Sequence, residues 1–254
     1  LQSRGYHVLV FLAAHTQGDI TDVIEEILDY QVDGIIAASV ALSSELAERC
    51  WAEGVPLVLF NRSQDDTALS SVTSDNYSGG RKVAEFFIAN GHRRIGYIAG
   101  WEGASTQRDR EAGFIDALGE AGLKLHARGV GDFKTDKARD AALAMFSGDD
   151  IPDAVFVSND HMAFSVMDTL RFELGLRVPE DVSVVGYDDV LAASWRGYDL
   201  TTVRQPAGQM VDETVDILLA QIEGEDTTPR RIEIDGPLVV RGSARCTTST
   251  KGRV

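Results

Sequence analysis

Apolar, β-branched runs alternate with amphipathic segments along almost the whole chain, and this alternation constrains the fold most. Val8–Ala13, Gly34–Val40 and Val55–Phe60 are runs typical of buried parallel strands, and residues with helical spacing follow each run. Alternating strand and helix units predict a parallel sheet with helices on both faces. Their number exceeds what one sheet holds, so we predict an α/β fold with two doubly wound parallel-sheet subdomains.

A second series of alternating units begins near residue 94. Its predicted strands are Arg94–Ala99, Ala154–Ser158 and Val182–Gly186, and two short strands at residues 231–234 and 237–241 close the chain. A helix over residues 77–90 ends the first series, and the predicted helices of the second run over residues 108–120, 138–146, 162–174 and 206–222. This series predicts the second sheet.

The charge balance limits the possible partners. The 254 residues carry a formal net charge of −16 and show no basic patch, so we do not expect this segment to grip nucleic acid by itself. No apolar run approaches the roughly 18–20 residues that span a bilayer. Two distant cysteines, Cys50 and Cys246, lack metal or redox spacing and fit a cytoplasmic protein. We expect neither a metal nor a cofactor.

Common catalytic signatures are missing from the sequence. It contains no G-x-G-x-x-G, P-loop, H-E-x-x-H or G-x-S-x-G motif, and its five histidines are dispersed. Asp188 and Asp189 could form an acid and base pair, but nothing nominates a nucleophile or a metal beside them. An α/β enzyme that uses Asp188 and Asp189 therefore stays one hypothesis, and we assign no catalytic residue.

Polar and aromatic residues follow several predicted strands at the edge where open α/β sheets bind ligands. Planar side chains with paired hydrogen bonds and an aromatic face suit a polar ligand such as a sugar. The candidate residues at these strand ends are Asp75 and Asn76 after the apparent strand Ser71–Thr73, then Thr106, Arg110, Phe133, Asn159, Asp160 and Asp188. Each also has a structural interpretation: Asp75 and Asn159 as helix N-caps, Arg110 as a surface ion-pair partner, and Phe133 as core.

Motifs in the same regions resemble the effector-binding core of the lactose/galactose repressor family of bacterial transcription regulators. The matching segments include Ser74–Gly80, Gly91–Gly96, Arg110–Phe114 and Ser158–Ala163. The most specific segments are Arg177–Asp189 and Leu200–Pro206. These segments follow the family's order across most of the chain.

The resemblance implies the type I periplasmic-binding-protein architecture, in which three crossovers link two subdomains and an effector binds in the cleft. It implies an N-terminal subdomain of residues 1–89 and 205–234, with its first strand and helix upstream of residue 1. Residues 90–204 and 235–254 then form the C-terminal subdomain. The implied effector-binding residues are Arg110, Asp188, Asn159, Phe133, Asp75, Thr106, Gln205, Arg62 and Asn61. Arg62 is less usual in the family and favours a charged or more polar effector.

The resemblance also implies a function and partners. We expect the ligand-binding and dimerisation domain of a cytoplasmic regulator, which senses a small molecule, expected to be a sugar. Operator DNA would bind through an amino-terminal helix-turn-helix domain absent from this sequence. The alternative is an extracytoplasmic sugar-binding protein of a transporter, which shares the fold. Segments Arg177–Asp189 and Leu200–Pro206 favour the regulator.

Overall fold

The chain divides into two compact units. The computed structural model describes residues 1–12, 21–40, 44–64 and 69–246. Unit 1 consists of Leu1–Ser74 and Pro206–Ile234, and unit 2 consists of Asp75–Gln205 and Asp235–Val254. The chain therefore passes from one unit to the other three times.

Seven α-helices and ten strands lie in the described residues. The helices are α1 (Thr21–Asp29), α2 (Ser44–Ala52), α3 (Asn76–Ala89), α4 (Ser105–Glu120), α5 (Thr135–Phe146), α6 (Asp160–Asp168) and α7 (Ala207–Ile222). The strands are β1 (Ile35–Ala38), β2 (Leu57–Phe60), β3 (Ser70–Ser74), β4 (Ile95–Ala99), β5 (Ala127–Val130), β6 (Ala154–Val157), β7 (Ser183–Asp188), β8 (Thr201–Arg204), β9 (Arg231–Ile234) and β10 (Leu238–Val239). A π-helical turn, Thr169–Glu173, extends α6, and Gln2–Arg4 and Leu191–Ser194 are 3₁₀ turns.

Unit 1 is built on a four-stranded parallel sheet in the order β1-β2-β3-β9. Side chains alternate between its two faces. Ile35 and Leu57 pack in a core to which α1 and α2 contribute. Val58 and Val72 pack on the other face with residues of α7, including Met210. Both faces of the sheet are thus covered by helices.

Unit 2 contains a six-stranded sheet in the order β10-β8-β7-β6-β4-β5, in which β10 alone of these strands runs antiparallel. Tyr97 and Phe156 point to a core shared with α3 and α4. Ile98 and Val155, their neighbours along the same strands, point to a core shared with α5 and α6. The predicted α/β class with two doubly wound sheets is confirmed.

Two strands escape the sequence analysis and one predicted strand is wrong. Strand β5 contains no continuous apolar run, and the sequence indicates the β8 residues only as part of the family motif Leu200–Pro206. Residues 8–12 of the predicted strand Val8–Ala13 form no strand, and Ala13 lies outside the described residues. Val8, Val10 and Leu12 are exposed and pair with no described strand, so a hydrophobic run alone did not suffice to form one.

Helix α3 belongs to unit 2, whereas the resemblance implied a boundary at residues 89 and 90. The observed boundary lies between Ser74 and Asp75, and a second lies between Gln205 and Pro206. The physical reason is that α3 packs tightly along α4, with which it shares the core around Phe87 and Phe114. Residues 75–89 and Gln205 are therefore described with unit 2 below.

Two glycines permit this close crossing of α3 and α4. A Cβ atom at Gly80 would lie 2.0 Å from the Arg110 carbonyl oxygen, and one at Gly113 would lie 2.0 Å from the Tyr77 carbonyl oxygen. Both contacts are with backbone, which cannot rotate away. The crossing brings the start of α3 beside the second turn of α4, where Arg110 lies.

The helices within the described residues are too short or too polar to cross a lipid bilayer.

Candidate functional site

Arg110 is the centre of the polar cluster in unit 2. It lies in the second turn of α4 with a relative exposure of 3%. Its Nε donates to Oδ1 of Asn76 at 2.8 Å, and its Nη1 donates to the Ser158 carbonyl oxygen at 2.6 Å. The guanidinium lies over the Tyr187 ring at 3.6 Å from the centroid, a cation–π geometry. The alternative prediction, that Arg110 is an ion-pair partner at the surface, is wrong about the surface, because Arg110 is buried.

Asp188 faces the remaining edge of this guanidinium. Its Oδ1 lies 3.6 Å from Nη2 of Arg110, and its side chain keeps 22% exposure. Burial raises the pKa of Asp188, while the charge of Arg110, a hydrogen bond from Gln205 and the charge of His161 act to lower it. A cation and an accessible carboxylate therefore sit side by side at the carboxyl end of β7.

The backbone that carries Asp188 is strained. The φ angles of Asp188 and Asp189 are 118° and 55°, both in the region that favours glycine. Asp132 and Phe133, which follow β5 in the same sheet, have φ angles of 56° and 57°. Such strain persists where the surroundings enforce it, and it clusters at binding sites. It falls here at the strand ends where open α/β sheets bind ligands.

Gln205 binds Asp188 directly. Its Nε2 donates to Oδ1 of Asp188 at 2.5 Å, and its backbone N donates to the Asp188 carbonyl oxygen at 3.3 Å. Asp189 instead accepts hydrogen bonds from Arg204 and Arg241, each at 2.6 Å, and is 5% exposed. Asp189 is thus a structural neighbour that fixes the turn, and Asp188 is the acid that a ligand can reach.

Asp75 and Asn159 both act as helix N-caps, as their structural interpretation predicts. Oδ1 of Asp75 accepts from the Ser78 backbone N at 2.9 Å at the start of α3. Oδ1 of Asn159 accepts from the Met162 backbone N at 3.0 Å at the start of α6. In both side chains the second polar atom takes part in no described hydrogen bond. The caps hold these groups in place, and ligand binding by them stays a prediction.

Thr106 and Phe133 lie on neighbouring elements of unit 2. Thr106 is buried in the first turn of α4, four residues before Arg110 and hence on the same helix face. Phe133 is half-buried against the core, and its ring lies against Gly100, where a Cβ atom would come within 2.2 Å of Cε1. Phe133 therefore packs partly in the core, as its structural interpretation predicts, and its exposed surface is available for stacking on a ligand.

Asn61 and Arg62 belong to unit 1, where they follow β2. Asn61 has a φ of 62°, and its Nδ2 donates to Oγ of Ser39 at 3.0 Å. Oδ1 of Asn61 is buried and has no hydrogen-bond partner among the described residues. Burial lowers the pKa of the Arg62 guanidinium. The structure thus brings Arg110, Asp188 and Gln205 of unit 2 into one cluster, and Asn61 and Arg62 are residues of the other unit.

The arrangement suits binding better than bond breaking. Arg110 offers Nη2 as a donor, Asp188 offers an acceptor, and a hydroxyl that donates to one and accepts from the other completes both. No described group of three His, Cys, Asp or Glu residues could hold a metal ion. The geometry therefore provides a polar recognition pair for a hydroxylated ligand.

Three residues that build the cluster are missing from the effector-binding set that the resemblance implies, although Asn76 and Asp160 are among the strand-end candidates. Asn76 and Tyr187 hold Arg110, and Asp160 binds the backbone after Asp188. All three lie inside the motifs that match the family, directly beside residues of the implied effector-binding set. The motif position was thus the available signal, but only the structure shows which of two adjacent side chains turns toward Arg110.

Comparisons with known proteins agree with this architecture. A family model of the periplasmic binding protein-like domain matches residues 84–244. The HTH-type transcriptional repressor PurR of Vibrio vulnificus (strain CMCP6) is 32% identical over 245 residues, which cover 95% of this chain and 73% of that protein.

Solved structures give the same assignment. A transcriptional regulator CelR–cellobiose complex is 34% identical with a TM-score of 0.81, covering 88% of this chain and 70% of that chain. The dimeric Lac repressor with an 11-residue C-terminal deletion is 29% identical with a TM-score of 0.80, covering 88% of this chain and 82% of that chain. These similarities favour a regulator over a transporter's binding protein. The chain therefore belongs to the LacI family of transcriptional regulators, of which it contains the periplasmic-binding-protein-like domain.

Proposed function

We propose that unit 2 binds a sugar effector against Arg110 and Asp188 and that this binding controls a transcriptional regulator. The observation that carries the proposal is the 3.6 Å separation of Nη2 and Oδ1, two groups that face one another without a mutual hydrogen bond. Gln205, Asn159, Asp75 and Thr106 supply further polar groups, and Phe133 supplies an apolar face. Asn61 and Arg62 stay predicted effector ligands of unit 1.

The relatives support a sugar as the effector class. CelR, similar to this chain at 34% identity, is described in complex with cellobiose. We propose that operator DNA is bound through a helix-turn-helix domain, as the names of the PurR relatives indicate. The chain itself carries a net charge of −16 and does not supply the basic surface that phosphates require. We place such a regulator in the cytoplasm and assign it no enzymatic activity.

A thermal-shift screen of monosaccharides, disaccharides and purine bases tests the effector class. A sugar at 100 times its dissociation constant is expected to stabilise the chain by about 2.7 kcal/mol, which raises the melting temperature by roughly 5–11 °C for a domain of this size. Asp188→Asn keeps the shape of the side chain and should remove the shift. A purine that stabilises the chain when every sugar fails would overturn the sugar assignment.

An exposed apolar face of unit 2 is proposed as the dimer contact. Phe172, Leu191 and Trp195 are exposed by 81%, 81% and 58%. A hydrogen bond from Arg171 to the Gly197 carbonyl oxygen, at 2.6 Å, holds their two segments together. Apolar groups clustered this way mark interaction sites, and the related Lac repressor structure is dimeric.

Replacing both Leu191 and Trp195 with glutamate is expected to give a monomer, because two charges would be buried in the contact. Sedimentation velocity measures the change in mass. Ile115→Glu is the matched control, since Ile115 is a 42% exposed apolar residue on α4, and it should leave the mass unchanged. A double variant that still sediments as a dimer would place the contact elsewhere.

A further inference from the structure

A fully buried carboxyl, Asp160, holds the turn that follows Asp188. Asp160 is the first residue of α6 and has a relative exposure of 0%. Its Oδ2 accepts from the Val190 backbone N at 2.9 Å, and its Oδ1 accepts from Oγ1 of Thr202 at 2.6 Å. One side chain thus ties together α6, β8 and the residue directly after Asp188 and Asp189.

The space around this carboxyl is closely fitted. A Cβ atom at Gly186 would lie 2.3 Å from Oδ1 of Asp160. Strand β7 can therefore pass the carboxyl only because residue 186 is glycine. The carboxyl is fixed from the strand side as well as by its two hydrogen-bond donors.

The turn needs restraints on both sides because Asp188 and Asp189 both have positive φ angles. Gln205 holds the Asp188 side chain, and Arg204 with Arg241 holds the Asp189 side chain. These contacts act on side chains within the turn. The backbone N of Val190, where the turn ends, is held by Asp160.

We propose that Asp160 is a positioning residue for effector binding, which anchors the backbone after the strained turn and thereby aims the Asp188 carboxylate. The proposal rests on the proposed function, in which Asp188 binds the effector. Asp160 itself is buried beneath the turn and acts through Val190. Its loss should leave Asp188 present but misdirected.

The protonation state of Asp160 identifies a conservative variant. Burial raises the pKa of Asp160 to about 7, the charges of Asp188 and Asp189 add to this, and the bonds from Thr202 and Val190 oppose it. When Asp160 is protonated on Oδ1, the Thr202 hydroxyl must turn from donor to acceptor, whereas the bond that Oδ2 accepts from Val190 is kept. Asparagine offers the same pattern, with Nδ2 toward Thr202 and Oδ1 toward Val190. Asp160→Asn should therefore preserve the anchor, whereas Asp160→Ala removes it.

Amide hydrogen exchange of the whole chain, without any ligand, tests the anchor. We expect the Val190 amide to exchange at least about tenfold faster in Asp160→Ala, the change that a loss of 1.4 kcal/mol in local protection produces. Asp160→Asn should stay near the wild-type rate. Asp153→Asn is the control, and it should leave the exchange rate of the Val190 amide unchanged. Asp153 is also a partly buried acid, but it lies at the amino end of β6 and is bonded to His92 at 2.9 Å.

A pH series supplies a readout that simple destabilisation does not move. The folded-state pKa lies above the unfolded value of 3.8, so the folded chain retains a proton that the unfolded chain has lost. The contribution of Asp160 to the free energy of unfolding therefore falls as the pH rises from about 4 through about 7. The melting temperature of Asp160→Asn should therefore rise relative to that of wild type over this window, and a difference that stays constant with pH would contradict the protonation of Asp160.

Binding separates this proposal from the proposed function. With cellobiose, or whichever sugar stabilises the wild type, Asp160→Ala should bind about tenfold more weakly, equivalent to 1.4 kcal/mol, and Asp160→Asn should bind normally. If no sugar binds the wild type, the sugar effector is refuted while the exchange experiment still decides the anchor. If the Val190 amide exchanges faster in Asp160→Ala by no more than the other core amides do, the positioning role would be overturned.

Discussion

Arg110→Ala is expected to weaken sugar binding and to lower the free energy of unfolding by about 3–5 kcal/mol, the cost of removing one partner of a buried ion pair. The variant leaves Oδ1 of Asn76 and the Ser158 carbonyl oxygen without their donor. It also uncovers the face of the Tyr187 ring. The affinity should fall by about 1.5–3 kcal/mol for the charged contact, which is roughly 10- to 150-fold.

Arg110→Lys separates the two effects. Lysine keeps the positive charge but lacks the planar fork that reaches Asn76, Ser158 and the ligand together. We expect its stability to lie between those of wild type and Arg110→Ala, with binding still weakened. Urea unfolding and titration calorimetry measure the two quantities. Wild-type affinity in either variant would remove Arg110 from the effector site.

Gly80→Ala and Gly113→Ala are expected to be the most destabilising conservative changes in unit 2. Each adds one methyl group whose carbon would lie 2.0 Å from a backbone carbonyl oxygen of the facing helix. Helices α3 and α4 would have to separate, and overpacking of this kind costs about 1–3 kcal/mol, occasionally more. The separation would also part Asn76 from Arg110, so sugar binding should weaken along with stability.

Gly119→Ala is the matched control on the same helix. A Cβ atom at Gly119 meets nothing within 4 Å. Alanine is about 1 kcal/mol more favourable than glycine inside a helix, so this variant should be neutral or more stable in urea unfolding. Equal stability of all three variants would show that α3 and α4 do not pack as closely as the structure places them.

Hydrophobic patterning was sufficient to predict most of the fold. The strands that it located, such as β4 and β6, are buried on both faces and form continuous apolar runs. Strand β8 begins with two threonines that are fully buried, and β5 is an edge strand with alternating exposure. Neither presents an apolar run, so pairing with a neighbouring strand, rather than local sequence, defines them.

The candidate site was predicted to the level of the strand end, but not of the individual side chain. Asp75 and Asn76 are both strand-end candidates and the resemblance implies only Asp75 as a ligand, yet Asn76 holds Arg110 while Asp75 caps its helix. Asn159 and Asp160 divide in the same way, with Asn159 as the cap and Asp160 beneath the turn. Adjacent residues at a helix start point about 100° apart. Which one faces the site depends on how the helix docks, and the sequence does not encode that locally.

The interleaved order of the two units constrains how the chain can fold during its synthesis and where it can be truncated. Strand β9 joins unit 1 beside β3 after residues 75–205 of unit 2 have been made. Unit 2 in turn needs Ser243, whose Oγ accepts from the Thr201 backbone N at 2.8 Å and donates to the Val184 carbonyl oxygen at 2.6 Å. A growing chain therefore completes neither sheet until β9 and β10 have emerged. Removing the residues after Ile234 would keep every described strand of unit 1. It would remove β10 and the Ser243 hydrogen bonds from unit 2, the unit that carries Arg110.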